Sequence, residues 1–490
     1  MGTGHRASFF CCIDDNLHLP IPEDQQYSYR EDVVKILHVV HQFLPYHHHG
    51  AEISTYELGV MQQAAGHEVV VVAGESSPHE QELFHEQYSY RELKVHRIYF
   101  NPQTPNGWLS HDGFAQLWRG LVESEQPDLV HVQHLMNLSL SLVDVTHEMG
   151  IPLVLTLRDF SLLCPRINLV KGDGNVCIDP DLESDCLPCL KQKRPMESGD
   201  LLPAAVDLLR ENILSPRSWD ILRRLISARL RSRKVFPPLS LSSGDDILRR
   251  NEEVIRRLQK FDRITAISED TASRFERLAD NRVSVQTLQQ VPDTGRCLWK
   301  QRIRGDGHLR FGYLGKMSYV KGVHLLLRAF RYLPLGQAKL LLFGGPTRTD
   351  IRQLAFWRKL KRLSKWPGVQ IFSDPFDPAE IAEVMNQIDV LIVPSIWFEA
   401  YGRVVAEALA SGIPVICSDE GGPASVIQPD INGLTFHLGD EMDLATKMRR
   451  FIDAPDLLER MSSEAHPPKT PDQYLDEVLS MYADVIEKKL

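Results

Sequence analysis

The sequence lacks any run of eighteen apolar residues, so it predicts no helix able to cross a membrane. Its first residues also lack a basic start followed by an apolar stretch, so we expect no signal peptide and a cytoplasmic location. The net charge of −10 argues against nucleic acid as a main partner. With 43% hydrophobic and 24% charged residues among 490, the composition is that of a soluble globular protein of two or three domains.

Short apolar runs alternate with helical spacers along most of the chain. Residues 1–32 are polar, and we expect them to form a flexible leader. Strand-like runs follow in two series, at 35–40, 68–73, 128–132, 152–157 and 263–267, and at 309–314, 339–343, 369–372, 390–393 and 414–417. This pattern predicts an α/β fold with two doubly wound parallel sheets in tandem. Ligands should lie at the C-terminal ends of the strands.

Two carboxylates lie eight positions apart in the stretch EAYGRVVAEALASGIPVI, where a loop is predicted to run into a helix. Glu399 falls in the loop and Glu407 on the helix. The loop N–H groups and the helix N-terminus favour a phosphate, and each carboxylate accepts hydrogen bonds from hydroxyl groups. A sugar nucleotide presents the matching order of groups, which is hydroxyls, a diphosphate and hydroxyls again.

The stretch resembles the motif of the retaining glycosyltransferases of family 4, a Glu followed by seven residues and a second Glu. The resemblance implies that Glu399 contacts the transferred sugar and Glu407 the nucleotide ribose. It also implies that Ala400, Tyr401 and Gly402 line the donor site, with Tyr401 in place of the usual Phe.

The resemblance extends from residue 33 to residue 490 and implies the GT-B architecture, in which two Rossmann-like domains face each other across a cleft. Residues 33–294 would form the acceptor domain and residues 295–465 the donor domain. The remaining segment, 466–490, contains a predicted helix with one apolar face. This helix either crosses back onto the first domain, as the closing helix of GT-B enzymes does, or packs on its own domain.

A second donor-site element follows the predicted strand at 309–314. Gly315, Lys316 and Lys321 lie in the loop after it, and two cations there can neutralise a departing diphosphate. The element resembles the Gly-Arg-Leu and Lys-Gly pattern of the family, with Lys316 in place of Arg. Gly344, after the next strand, allows the backbone to approach a nucleotide closely.

The acceptor side is predicted from the first domain. Gly50 lies in a loop that resembles the Gly-Gly-x-Glu element of the family, with His49 in place of the first Gly. Arg158 stands where family members have the His of a His-Asp pair, and Asp159 follows it. Arginine cannot act as a base, but it can bind a sugar hydroxyl or a phosphate. His134, at the end of another predicted strand, is a further acceptor-site candidate.

The resemblance implies a mechanism without an enzymic nucleophile, in which the phosphate of the donor takes the proton of the acceptor on the same face of the sugar. The sequence shows no clear nucleophile and base for a double displacement. An Asp-x-Asp pair at Asp179 and Asp181 lies in a loop rather than after a strand. We therefore expect no catalytic metal and no required cofactor.

Four cysteines fall within 26 residues of a Gly-, Asp- and Pro-rich loop: Cys164, Cys177, Cys186 and Cys189. The last two form a Cys-x-x-Cys pair, and the loop resembles an insertion found in a subset of family 4 enzymes. Structural zinc is one interpretation. Reduced, partly buried cysteines are another, and disulfides or an iron–sulfur cluster are a third.

The segment 217–234 is rich in arginine interleaved with Leu and Ile, inside a predicted helical insertion at about 200–260. It either lies on an anionic membrane or forms a helical hairpin packed against the first domain.

The sequence thus favours a retaining glycosyltransferase. It would move a sugar from a nucleotide-diphosphate donor to a hydroxyl of a glycan or glycolipid, in the assembly of polysaccharide, lipopolysaccharide or glycolipid. A sugar-nucleotide epimerase and a catalytically idle homologue that binds sugar nucleotides or partners are the alternatives.

Overall fold

The computed structural model of the protein describes residues 33–76, 81–101, 107–178, 180, 184–191, 243–292, 294–295, 297–303, 307–345, 351–373 and 380–489. The predicted leader, the Asp-x-Asp pair and the basic segment 217–234 lie outside the described residues.

The first domain is built on an eight-stranded sheet with the strand order β3-β4-β2-β1-β5-β6-β7-β8. Its strands are β1 (Lys35–Val40), β2 (Glu68–Glu75), β3 (His85–Tyr90), β4 (Leu93–Tyr99), β5 (Leu129–Val132), β6 (Leu153–Leu157), β7 (Arg263–Ala266) and β8 (Gln286–Thr287). Its helices are α1 (Gly50–Ala64), α2 (Asp112–Glu125), α3 (Ser141–Glu148), α4 (Cys186–Lys191), α5 (Gly244–Leu258) and α6 (Glu269–Leu278). The central strands are buried and consist mainly of Val, Leu and Ile because helices cover both faces of a parallel sheet.

The second domain has a six-stranded parallel sheet with the order β11-β10-β9-β12-β13-β14. Its strands are β9 (Leu309–Leu314), β10 (Ala338–Phe343), β11 (Val369–Phe372), β12 (Val390–Val393), β13 (Val415–Ser418) and β14 (Gly433–Phe436). Its helices are α7 (Val323–Ala329), α8 (Ile351–Leu363), α9 (Ile381–Asn386), α10 (Arg403–Ala410), α11 (Gly422–Val426), α12 (Glu441–Asp453) and α13 (Pro455–Ser463).

The prediction of two parallel-sheet α/β domains is confirmed, with one correction at the edge of the first sheet. There β3 pairs antiparallel with β4. A two-residue turn joins these strands, with Arg91 in the left-handed region at φ 53°, and such a turn permits only an antiparallel pair. The burial of β3 alternates residue by residue because one of its faces is turned to solvent.

The chain ends in helix α14 (Pro471–Glu487), which begins with a capping box between Thr470 and Gln473. Its apolar face packs in one buried cluster with Ile36 and Leu129 of the first domain. The hydroxyl group of Tyr482 lies 2.5 Å from Nδ1 of His131, within that domain. The last helix therefore follows the second domain in sequence but packs on the sheet of the first domain. Within the described ranges, no helix has the length and apolarity to cross a membrane.

Candidate functional site

Glu399 lies in the loop that follows β12, at the C-terminal edge of the second sheet. The hydroxyl group of Ser395 donates to Glu399 Oε2 at 2.5 Å, and the ammonium group of Lys321 pairs with Oε1. Lys321 also lies 5.8 Å from the ring of Trp397. The structure thus brings together two residues predicted to serve the donor site from segments 78 positions apart, and it adds Ser395, which the sequence had not singled out.

Gly322 explains how Lys321 comes so close to this loop. Its φ is 69°, and a Cβ atom built there would lie 1.6 Å from the carbonyl oxygen of Pro394. Only glycine fits such a contact. The N–H group of Ile396 donates to the carbonyl of Val320 at 2.9 Å and joins the two loops.

Lys316 and Gly315 lie on the neighbouring loop, after β9, and the Lys316 side chain is exposed. Gly315 is packed against Gly344, where an added Cβ atom would lie 2.2 Å from the Gly315 carbonyl oxygen. Both glycines have positive φ, 141° and 122°. Because of this close packing, the ends of β9 and β10 form a smooth backbone surface beside Lys316.

Glu407 lies on α10, whose N-terminus is formed by Gly402 at φ 75°. Burial raises the pKa of Glu407, and the guanidinium group of Arg403, 3.8 Å away, acts in the opposite direction. Arg403 also makes two bonds to Glu57 of α1, at 2.7 and 2.8 Å. This ion pair links the two domains directly beside the predicted ribose ligand.

A glycine pair behind the Glu399 loop was missed by the sequence reasoning. Gly422 donates its N–H to the carbonyl of Glu399 at 2.6 Å, and a Cβ there would lie 2.1 Å from the Ala400 oxygen. Gly421, at φ 91°, lies against the same backbone. The signal was present as the sequence Gly-Gly-Pro shortly after the predicted strand 414–417, where a turn needs backbone freedom.

The same loop rests on the first domain. Ala400 and Tyr401 form a small buried cluster with Ile267, which follows β7. The guanidinium carbon of Arg274 on α6 lies 3.4 Å from the ring centroid of Phe398, and this arginine also pairs with Glu420. The C-terminal ends of both sheets therefore face one cleft, with Glu399 and Glu407 at its second-domain wall.

The first-domain wall carries a cluster of histidines and carboxylates. His134 Nε2 donates to Asp159 Oδ2 at 2.9 Å, and its ring lies 4.2 Å from that of His41. Burial opposes the ionisation of Asp159, but His134 and the hydrogen bonds from Ser161 together outweigh it and lower the pKa of Asp159 to about 2. Burial, reinforced by His134, lowers the pKa of His41 to about 3. His134 and Asp159, both predicted for the acceptor side, are thus in direct contact.

Glu52 lies beneath this cluster in the first turn of α1 and is fully buried. Its oxygens have no hydrogen-bond partner among the described residues, although His41 Nε2 and His49 Nδ1 are 3.5 and 3.6 Å away. Burial opposes ionisation, but the two histidines lower the pKa of Glu52 to about 2. The His49 side chain is 67% exposed, and Gly50 has open space around its Cα. His49 and Gly50 are therefore the accessible residues of this wall.

Arg158 lies deeper than its neighbours on the same wall. Its guanidinium group donates to the amide oxygen of Gln133 at 2.6 and 3.1 Å and to that of Gln290 at 2.5 Å. Burial lowers its pKa. The structure thus gives this residue two neutral amide partners, neither of which the sequence reasoning had identified.

The four cysteines of the predicted cluster surround one cavity beside the first sheet. All four are free thiols. Among the described residues, no group of three or more His, Cys, Asp or Glu side chains has the spacing of a metal centre.

Comparison with solved structures defines the architecture. Sucrose-phosphate synthase from Thermosynechococcus elongatus superposes with a TM-score of 0.59 and 13% identity, over 93% of this chain and 100% of that one. Anabaena Alr3699/HepE, in complex with UDP and glucose, gives a TM-score of 0.54 and 15% identity over 93% and 99% of the two chains. The fold is GT-B, as predicted.

Sequence comparison identifies the family. The model of "Glycosyl transferases group 1" matches residues 300–466, and that of "Glycosyltransferase Family 4" matches residues 48–167. The chain belongs to the glycosyltransferases that these two models describe. A D-inositol 3-phosphate glycosyltransferase of Corynebacterium kroppenstedtii is 29% identical over 148 residues, 29% of this chain and 33% of that protein. The chain thus matches about a third of the length of this curated relative.

Proposed function

We propose that the protein transfers a sugar, with retention of anomeric configuration, from a nucleotide-diphosphate sugar to an acceptor hydroxyl. The observation that carries the proposal is the group formed by Glu399, Lys321 and Ser395 at the cleft, with Glu407 on the following helix. The carboxylates of Glu399 and Glu407 can accept hydrogen bonds from hydroxyl groups at the two ends of a donor molecule, and the ammonium group of Lys321 provides a positive charge between them. A sugar nucleotide has the same order of groups.

The donor would lie along the C-terminal edge of the second sheet. A diphosphate beside Lys321 and Lys316 would be neutralised by their ammonium groups, and the N-terminus of α10 would add its partial positive charge. Its ribose would reach Glu407, whose raised pKa makes hydrogen-bonding hydroxyl groups favourable neighbours. The Anabaena structure contains UDP and glucose. UDP sugars are therefore the first donors to test.

The mechanism we propose uses no covalent sugar–enzyme intermediate. Glu399 is engaged by an ammonium and a hydroxyl group, and a carboxylate with such partners is a weak nucleophile. The leaving phosphate would instead accept the proton of the acceptor hydroxyl on the same face of the sugar. The residues Glu399, Lys321 and Lys316 then act by position and charge, since negative charge develops on the departing diphosphate.

The acceptor would enter from the first-domain wall, past His49 and Gly50. The His134–Asp159 pair lies on this wall and can accept and donate hydrogen bonds to hydroxyl groups. We infer a glycan or glycolipid acceptor in polysaccharide, lipopolysaccharide or glycolipid assembly at the cytoplasmic side of a membrane. The basic segment 217–234 would provide peripheral contact with anionic lipid.

The experiment compares the wild type with Glu407→Ala and with Glu459→Ala, a surface control on α13. UDP, GDP, ADP, CMP and dTDP sugars are screened by calorimetry and then assayed for turnover with hydroxyl acceptors. One nucleotide class should bind, and Glu407→Ala should weaken it about 10- to 100-fold because a charge-assisted hydrogen bond is lost. The control should bind like the wild type. An inverted anomeric configuration in the product, followed by NMR, would overturn the mechanism.

A second candidate is an idle homologue that binds sugar nucleotides without turnover. The engagement of Arg158 by Gln133 and Gln290 favours it, because the family has a histidine at this position and the arginine is already occupied. This candidate would be supported if the donor binds but is neither transferred to any acceptor of the panel nor hydrolysed. Restoring histidine by Arg158→His would then be the informative variant.

A further inference from the structure

The cysteine-rich loop is folded so that three separate pieces of chain carry thiols to one place. Cys164 ends the turn after β6, where its N–H bonds the carbonyl of Phe160 at 2.7 Å. Cys177 closes a small hairpin, in which its N–H bonds the carbonyl of Leu169 at 2.7 Å. Cys186 and Cys189 are three positions apart on α4 and so share one face of that helix. All four line the same cavity.

Helix α4 is only partly held by packing, because its residues remain accessible to solvent. It has six residues, contains a proline, and none of its residues is buried. A helix of this length is not stable on its own, because nucleation costs more than one turn of hydrogen bonds returns. A bond from Arg166 to the carbonyl of Cys189, at 2.5 Å, is one of its links to the preceding turn. A cross-link through the cysteines would fix it in place.

The surroundings favour thiolates bound to a cation. Backbone N–H groups of Arg166 and Leu169 point to the Cys164 sulfur. Four thiolates without a cation would repel one another, whereas a divalent ion would neutralise them. The buried guanidinium group of Arg250 lies close enough to interact with Cys164 and Cys186.

We propose that Cys164, Cys177, Cys186 and Cys189 bind one structural zinc ion. Tetrahedral thiolate coordination is the preferred closed site of zinc, with Zn–S bonds of about 2.3 Å. In the structure the four sulfurs are further apart than in a closed centre, so zinc binding would draw the turn, the hairpin and the helix together. The turn that carries Cys164 also contains Ser161, whose N–H bonds Asp159 at 2.9 Å. The ion would therefore stabilise the segment that carries the acceptor-side carboxylate.

The test uses the full chain, untagged and purified in reducing buffer without chelator. Metal analysis should find about one zinc ion per chain, and the thiols of these four cysteines should react with a thiol reagent only after zinc is released. The double variant Cys186→Ser/Cys189→Ser should lose the zinc, whereas Cys297→Ser, outside the cluster, should keep it. If the double variant does not fold, replacement of zinc by cobalt in the wild type should give the visible bands of a tetrahedral thiolate site.

Four outcomes would overturn the proposal. These are less than about 0.2 zinc per chain with all thiols reactive, iron in place of zinc, disulfides found by mass spectrometry, and zinc retained by the double variant. The last would place the ion elsewhere, for example at the histidines His47, His48 and His49. The test is independent of sugar transfer, because each readout is metal content or thiol chemistry.

Discussion

The ion pair between Arg403 and Glu57 should hold the two domains together, and its contribution can be measured. The side chains are 22% and 11% exposed and form two bonds at 2.7 and 2.8 Å. Solvent-exposed ion pairs contribute about 0–1 kcal/mol to stability, whereas removing one partner of a fully buried ion pair costs about 3–5 kcal/mol. This pair lies between the two cases, because both groups are mostly but not completely withdrawn from water. We therefore expect a coupling free energy of about 2 kcal/mol.

The assay is a double-mutant cycle of Arg403→Met and Glu57→Gln, measured by urea-induced unfolding. Either single change should cost about 2–3 kcal/mol, and the double change little more than one of them. Arg403→Met removes the contact between Arg403 and Glu407 both in the wild type and in the Glu57→Gln background. The contribution of this contact therefore cancels when the coupling free energy is calculated. The control cycle uses Arg449 and Asp453, a pair 3.1 Å apart that is 58% and 60% exposed. Coupling no larger than in this control, about 0.5 kcal/mol or less, would refute the reasoning.

Three further predictions concern the backbone, pH and catalysis. Gly322→Ala should destabilise the protein by about 2 kcal/mol or more, because the added Cβ atom clashes with the backbone and the residue is strained at positive φ. The control Gly120→Ala lies in a helix with open space around it and should stabilise the protein by about 0.5–1 kcal/mol. Equal unfolding midpoints for the two variants would contradict this prediction. The free energy of unfolding should fall between pH 7.5 and pH 5.5, because burial lowers the pKa of His38 to about 4 and of His41 to about 3 and the unfolded chain therefore binds more protons in this window. Each of the two histidines should lower the free energy of unfolding by about 1.4 kcal/mol at pH 5.5, measured by urea unfolding. A free energy of unfolding that does not change with pH would exclude neutral buried histidines. Glu399→Gln should lower kcat about 100-fold or more in the transfer assay, measured at a temperature where circular dichroism shows the variant to be folded, and an unchanged kcat would remove this residue from the chemistry.

Much of the fold could be predicted because its signals are local. The strands at residues 35–40, 309–314 and 369–372 match the structure residue for residue, since each is a short apolar run with clear ends. The hairpin of β3 and β4 was missed because β3 is polar on one face, with the sequence HEQYSY, and carries no apolar run. Strand β14 was missed for a similar reason, since GLTF is too short to form a pattern.

The two walls of the cleft differ in how far sequence alone could describe them. On the second-domain wall, the geometry follows from glycines with positive φ, such as Gly322 and Gly402, and from carboxylates at fixed spacing, all visible in the sequence. On the first-domain wall, the environment of each group depends on strands distant in sequence: His41 follows β1, His134 follows β5 and Asp159 follows β6. Burial and the contact with His134 act together on the pKa values of His41 and Asp159, and no single segment reveals this arrangement. Acceptor recognition is therefore the part of the function for which the three-dimensional structure adds most, and variants on this wall should be designed as pairs.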